Sequence, residues 1–343
     1  MSGIVRAACF IAAAFPAMLS MSAASLAENV PPGFHVAALA HVAGAREIAP
    51  CGRMLYVGRA QGNVSAVALD SGKVTTIAGR FEAPNGVACS ATHLYVADRT
   101  RIIAYPLSPD GTISGAAATI HSGFPDLAHH GLRYIAVGPD ARLYVSIGSP
   151  CNICKPQGLE GTIVSMNPDG SGFATVAHGI RNSVGFDWSP SGTLFFTDNG
   201  ADDMGDNIPP DELNEVNGAN PFFGFPYFGG RVRLKGFETA EPPQPQVAPV
   251  FEFQAHVATL GLHFYRGAML GLDGDAFVAE HGSWNRSVPV GRALVLLRFQ
   301  GGRPTSVETF ARGIGRPVDV KELADGALVV SDDAGGTIWH ITR

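Results

Sequence analysis

Residues 51–69, CGRMLYVGRAQGNVSAVAL, decide the fold. A Gly-bearing turn precedes LYV, a small residue follows it, and a second apolar stretch comes after another turn. The same order returns at residues 89–107 (CSATHLYVADRTRIIAYPL), 138–149 (GPDARLYVSIGS), 189–200 (SPSGTLFFTDNG), 271–282 (GLDGDAFVAEHG) and 323–341 (LADGALVVSDDAGGTIWHI). Six copies, with strand starts about 40 to 50 residues apart, match the period of a propeller built from four-stranded blades. The longer interval follows the fourth copy, where a loop rich in Gly, Asn and Asp and a Pro-rich stretch at residues 241–249 add chain. A parallel βαβ fold needs amphipathic helical stretches between its strands, and Gly, Pro and β-branched residues interrupt every candidate. A β-sandwich would show fewer and less regular repeats. The expectation is an all-β chain, a six-bladed β-propeller with four-stranded antiparallel blades over residues 28–343. Residues 328–331, residues 337–342 and a strand near residues 34–39 would close it.

The first 27 residues read differently. Arg6 is followed by an apolar run from Ala7 to about Leu19 and then by small residues ending Ser25-Leu26-Ala27, the order of a secretory signal peptide cleaved after Ala27. The run is shorter than the roughly 20 residues of a membrane span, and no other segment is apolar for long enough. Export to the periplasm or the exterior, with no membrane span, is expected, leaving about 316 residues. The 24 Lys and Arg are scattered among 30 Asp and Glu, which argues against a nucleic-acid partner. The abundant Gly and Pro suit many short strands joined by turns.

Cys9 falls in the leader, so Cys51, Cys89, Cys151 and Cys154 remain, an even number suited to an oxidising compartment. Haem attachment at CNIC would require a following His, and the chain has Lys155. Zinc would want a second close pair of ligands, and none follows. A short disulfide between Cys151 and Cys154 is therefore expected. Cys51 and Cys89 each stand four or five residues before their LYV in neighbouring copies, which predicts a second disulfide between the first two blades.

The polar residues that could carry chemistry fall at the ends of repeat strands or in the loops between them. His129-His130 precedes the third copy, and a histidine there, with an unperturbed pKa of about 6.5, suits a general base; a loop histidine satisfied by backbone is the plainer alternative. Arg181-Asn182 precedes the fourth copy and offers a rigid guanidinium fork beside an amide, a pair suited to an anionic, carbonyl-bearing ligand. Its plainer alternative is a surface ion pair. Asn199-Gly200-Ala201-Asp202-Asp203, with Asp206, Asp211 and Glu212 beyond, is rich in oxygen and free of sulfur, which suits calcium although the spacing is not that of an EF-hand. The alternative there is a solvated acidic loop. Residues 280–292, EHGSWNRSVPVGR, bring His281, Trp284, Asn285 and Arg286 together; His256 precedes the fifth copy and Arg316 the sixth. His130, Arg181, His256 and Arg316 share one phase before successive copies, where propeller geometry turns them toward one axial pocket. Two Arg, two His and a cation around one cavity make a site for an anionic cofactor or substrate, with a base at hand.

At these residues the chain resembles the soluble quinoprotein glucose/sorbosone dehydrogenases, six-bladed propellers that use pyrroloquinoline quinone and calcium. The resemblance runs from about Phe34 to the end. His130 stands eight residues before Gly138-Pro139-Asp140, and the family's RNPQG segment appears as Arg181-Asn182-Ser183-Val184-Gly185. Its acidic DE-N-x-I and GxNYGWP segments are similar to residues 211–216 and 218–226, and HGSWNR and GRPVDV, at His281 and Arg316, look like the sorbosone-dehydrogenase-like branch. The resemblance implies that His130 is the base that removes a hydroxyl proton as hydride passes to the quinone. It implies that Arg181 and Asn182 hold the quinone oxygens and carboxylates, that Asn199 flanks the cofactor, and that the carbonyls of Gly200 and Ala201, with Asp202 beside them, bind calcium. Arg316 matches one cofactor-binding Arg, whereas a second, two residues later, is Val318 here. Arg286 is the substitute for the family's Lys in the fifth blade, His256 lies at the cofactor-facing phase, and a cofactor-contacting Gln is replaced at Pro84, beside Asn85. The implied activity is oxidation of a sugar, an aldose or sorbosone, with an external electron acceptor. A calcium-dependent six-bladed lactonase and a non-catalytic sugar-binding propeller are the competing readings.

Overall fold

The computed structural model describes residues 30–343, so the leader expected at residues 1–27 lies outside the described residues. Six four-stranded antiparallel sheets follow one another along the chain as the blades of a six-bladed β-propeller. The inner strands, Ala45–Cys51, Gly86–Cys89, Ile135–Val137, Gly185–Trp188, Thr259–Phe264 and Pro317–Glu322, surround the axis. Outside each lies the strand that carries the repeated motif: Met54–Arg59, His93–Ala97, Leu143–Ile147, Leu194–Asp198, Ala276–Glu280 and Leu328–Asp332.

The motif strands read as apolar runs rather than as alternating patterns because both of their faces are buried. The hydrophobic core is accordingly divided into six main clusters, one between each pair of neighbouring blades. Tyr95 and Leu143 meet in the cluster between blades 2 and 3, Phe195 and Phe264 between blades 4 and 5, and Val57 and Val329 between blades 6 and 1. Edge-to-face aromatic pairs tighten two of these seams, with ring centroids 5.3 Å apart for Phe195–Phe264 and 4.9 Å for Tyr134–Phe186.

The ring closes in the sixth blade, where His35–His41, from the start of the described chain, pairs antiparallel with Thr337–Thr342. That strand extends two residues beyond the expected residue 39. Both expected disulfides form. Cys51 and Cys89 end the inner strands of blades 1 and 2, with Cα atoms 5.9 Å apart, and Cys151 pairs with Cys154.

The extra chain after the fourth copy is an insertion in blade 4, although not all of it is loop. Asp211–Glu215 is that blade's third strand, pairing with Leu194–Asp198 on one side and Phe251–Phe253 on the other. Leu213 is the reason: its side chain fills the core between blades 4 and 5, while the carboxylates around it are taken up by N–H groups. Residues 216–250 then leave the blade and carry a small hairpin, Phe228–Gly229 with Val232–Arg233.

Candidate active site

The loops leading into the inner strands of blades 3, 4 and 5 meet at one mouth of the axis, around a cavity of about 320 Å³. His130, Arg181, Asn182, Asn199, Gly200, Asp202 and His256 line it, together with Asp211, Trp284 and Asn285. Its size falls in the range of small-molecule sites, about 300–1,000 Å³.

A repeated device sets these loops. The carboxylate ending each motif strand of blades 2, 4 and 6 reaches back to the N–H groups before its own blade's inner strand. Asp98 accepts from Ala83 (2.7 Å), Asp198 from Arg181 (2.9 Å) and Asn182 (2.6 Å), and Asp332 from Arg316 (2.8 Å). Blade 5 has Glu280 at that position, and Asp211 from blade 4 takes over the task. It accepts from Ala258 N (2.6 Å) and from Gly200 N (2.7 Å), so one buried carboxylate fixes two walls of the cavity. Burial pushes Asp198 and Asp211 up to about 6 despite these N–H donors.

His130 has a defined tautomer. Its Nδ1 lies 3.0 Å from Ser149 O and 3.1 Å from Ser149 Oγ. A carbonyl only accepts, and Ser149 Oγ spends its own proton on Cys151 O (2.8 Å), so Nδ1 must carry the hydrogen. Nε2 is then the unprotonated nitrogen. Burial, with Arg181 and His129 adding positive charge nearby, pushes the imidazole down to about 3, so it is neutral at physiological pH. The ring sits close because residue 148 is glycine: a Cβ there would lie 2.5 Å from His130 Cβ. His130, His256 and Ala258 all hold left-handed backbone, with φ of 49°, 65° and 56°, a conformation that clusters where side chains are re-aimed for function.

Arg181 is buried, and its fork is engaged by the protein. Nε donates to Asn152 O (3.0 Å), Nη1 to Asn199 O (3.2 Å), and Nη2 to Asn152 Oδ1 and Asp202 Oδ2 (both 2.9 Å). The other residues expected to face the cofactor divide into two groups. Asn182, Asn199, Gly200, Asp202 and His256 lie on the cavity with His130 and Arg181. Arg316 turns away, with Nε and Nη2 donating to His281 O (3.1 Å) and Gly282 O (2.7 Å). Arg286 folds onto the carbonyls of Ala255 (3.0 Å) and Asp206, and Ala201 packs its side chain against Phe225 and Leu234. His256 Nε2 donates to Gly205 O (2.9 Å).

The oxygens here suit a hard cation. Among the described residues no three His, Cys, Asp or Glu side chains are arranged to hold a metal ion, so an ion here would rest on the carbonyls of Gly200 and Ala201 more than on carboxylates. Asp202 already receives Arg181 and, through Oδ1, Asn285 Nδ2 (2.8 Å). That contact forces Asn285 to turn its Oδ1 inward, where it is buried with no partner, an acceptor for a donor or cation. Ser149 and Asn152 were not apparent as site residues from sequence. Asp198 had a signal, since it repeats Asp98 and Asp332 at one position of the motif.

Residues 74–340 match the glucose/sorbosone dehydrogenase family, and the chain belongs to that family. An uncharacterized protein of Borreliella burgdorferi is 41% identical over 228 residues, a match covering 62% of this chain and 60% of that protein's length. Two solved structures share the fold. The holo form of the pyranose dehydrogenase PQQ domain from Coprinopsis cinerea has a TM-score of 0.75 at 20% identity, covering 92% of this chain and 97% of that one. The calcium structure of a Trichoderma reesei Carbohydrate-Active Enzymes Family AA12 protein has a TM-score of 0.76 at 20% identity, covering 92% and 96%.

Proposed function

We propose that this protein is a dehydrogenase dependent on pyrroloquinoline quinone and calcium, which oxidises an aldose or sorbosone and passes the electrons to an external acceptor. The observation that carries the reading is His130: a neutral imidazole whose Nδ1–H is spent on Ser149 leaves Nε2 as a free base on a cavity shared with Arg181, Asn182 and Gly200. Family membership supports the class of chemistry, and the Coprinopsis PQQ domain and the Trichoderma calcium structure support the two cofactors.

Such a quinone supplies two-electron acceptance, and calcium beside it supplies Lewis acidity. Asn182 would offer its side-chain amide, Arg181 its positive charge, and Gly200 and Ala201 their carbonyl oxygens. His130 Nε2 would take the proton of the sugar hydroxyl as the hydride leaves the adjacent carbon. Burial first and then the Arg181 charge disfavour protonation of His130, so an anionic group bound beside Arg181 would raise His130 toward a working pKa. This is a physical reason for the site to take an anionic cofactor. The two disulfides suit the periplasm or the exterior, where we place the protein.

The test is a dye-coupled assay of the purified protein supplied with calcium and the quinone. Aldehyde-bearing sugars should reduce the dye, and His130→Ala should lower kcat by roughly 10²–10⁴-fold with the melting temperature unchanged. Absence of quinone binding at every calcium concentration would overturn the reading, and lactone hydrolysis without quinone would replace it with a lactonase.

A further inference from the structure

The Cys151–Cys154 loop of blade 3 touches three parts of the candidate site. Asn152 makes four of these contacts. Its carbonyl accepts from Arg181 Nε (3.0 Å), and its Oδ1 accepts from both Arg181 Nη2 (2.9 Å) and Asp202 N (2.8 Å). Its Nδ2 donates to Asp202 O (3.0 Å). The amide orientation is unambiguous, because Arg181 can only donate and Asp202 O can only accept. At the same loop's start, Ser149 holds His130 and is itself held by Cys151 O (2.8 Å). The disulfide ties the loop's two ends.

We propose that Asn152 is the positioning residue of the site: it holds the Arg181 fork and the Gly200–Asp202 backbone in one arrangement, and the Cys151–Cys154 disulfide keeps it there. The proposal rests on reading the cavity as a quinone and sugar site. Physically, Arg181 is buried and long, and four of its five N–H donors are met by the protein, which holds it in one rotamer. Asn152 meets two of them. It also pairs both the backbone N–H and the backbone carbonyl of Asp202, as a strand partner would, and so fixes the turn that presents the carbonyls of Gly200 and Ala201. No other described residue bonds to both Arg181 and Asp202 at more than one atom of each. A side chain that orients those meeting a ligand behaves like the outer partners of metal ligands, whose loss costs about 10–100-fold in affinity or activity.

The experiment compares Asn152→Ala, Asn152→Asp and Cys151→Ser/Cys154→Ser in the full chain. Asn152→Ala should weaken binding of the quinone in the presence of calcium, measured by fluorescence titration, by roughly 10–100-fold, and lower kcat by a similar factor. Asn152→Asp keeps the acceptor for Arg181 but sets an oxygen against Asp202 O. It should restore most of the loss if Arg181 is the main client, and little of it if the Asp202 turn is; either partial pattern supports positioning. The double Ser variant should shift in the same direction by a smaller factor. A readout independent of the cofactor is the titration of His130 in the unloaded protein. Releasing Arg181 relieves the repulsion on His130, so its pKa should rise in Asn152→Ala, which a purely structural role elsewhere would not cause. Quinone affinity within about twofold of the wild type would overturn the proposal, as would an unmoved His130 titration. Should the wild type itself bind no quinone, the functional reading falls, and the His130 titration alone decides for or against Asn152.

Discussion

At the mouth where the inner strands begin, His130 is held neutral and four buried carboxylates are pushed toward or beyond neutral pH. Asp198 and Asp211 rise to about 6, Glu280 to about 7 and Glu212 to about 8, burial being the main cause for each. At the mouth where the same strands end, His263 sits between Asp187 (3.2 Å) and Glu322 (3.4 Å), and Arg266 completes the cluster at 2.9 Å from Asp187. Burial there works to lower His263 and to raise Asp187, but the hydrogen bonds and charges they exchange outweigh it. His263 is raised and Asp187 is held well below the usual carboxylate range. Histidines and aspartates at the two mouths therefore shift in opposite senses, according to whether each has a charged partner. One mouth leaves His130 and these four carboxylates poised and, among the described residues, outside any ion pair, the pattern of a reactive site. The other pairs them across blades 4, 5 and 6, which is a way to hold a ring of blades shut.

The contrast is broken most severely by removing a paired group at the far mouth. Asp187→Ala leaves His263 and Arg266 with one fewer counter-charge and frees Phe264 N (2.8 Å), so it should destabilise by about 3–5 kcal/mol in denaturant unfolding at pH 6. Sugar-oxidising kcat should stay within about twofold, since no cavity residue touches Asp187. The pH window has a definite sign. Asp187 and Glu322 are lowered, so their contribution is present above the unfolded carboxylate pKa and is lost as pH falls below about 4. His263 is raised, so its contribution is full below about 6.5 and is lost as pH rises through its folded value. The Asp187→Ala penalty should be greatest between those limits.

A smaller effect of opposite sign should come from the cavity mouth. Burial, and Asp211 nearby, raise Glu280 with no hydrogen bond to offset them. A raised carboxylate favours folding at low pH and loses that advantage as pH rises through its folded value. Glu280→Gln should thus stabilise the protein by about 1–2 kcal/mol near pH 8 and have almost no effect near pH 4. A loss of stability at pH 8 would mean that Glu280 is paired and that the two mouths do not differ as described.

These differences bear on what the sequence could reveal. The LYV copies made the propeller legible because a strand buried on both faces has little choice but to be apolar throughout, and six such strands at one period have one common architecture. The closing strand and the Cys51–Cys89 disulfide followed from the same repeat, and the Cys151–Cys154 disulfide from a CNIC segment that suits neither haem nor zinc. Phase within the repeat also placed the backbone of His130, Arg181 and Arg316 correctly at one mouth, and the equivalent bonds of Asp198 and Asp332 show why. Phase does not say where a long side chain goes. Arg181 turns into its cavity, where Asn152 and Asp202 accept its N–H groups, whereas Arg316 turns onto the carbonyls of His281 and Gly282. Asn152 itself was hidden: its partners lie about 30 and 50 residues away, and nothing in CNIC marks the Asn. Asp211 read as part of an acidic loop, because the apolar Leu213 that makes it a strand stands alone between polar neighbours.

The two mouths differ most in the state of one histidine each, and ¹⁵N NMR of His130 and His263 in the intact protein from about pH 4 to pH 8 measures both at once. His130 should remain neutral and protonated on Nδ1 through the whole range, while His263 should be charged at pH 6 and titrate above the ordinary value of about 6.5. If His130 carries its proton on Nε2 at neutral pH, the cavity holds no free base and the catalytic reading fails, whereas titration near 6.5 would show that burial and Arg181 do not hold the ring down.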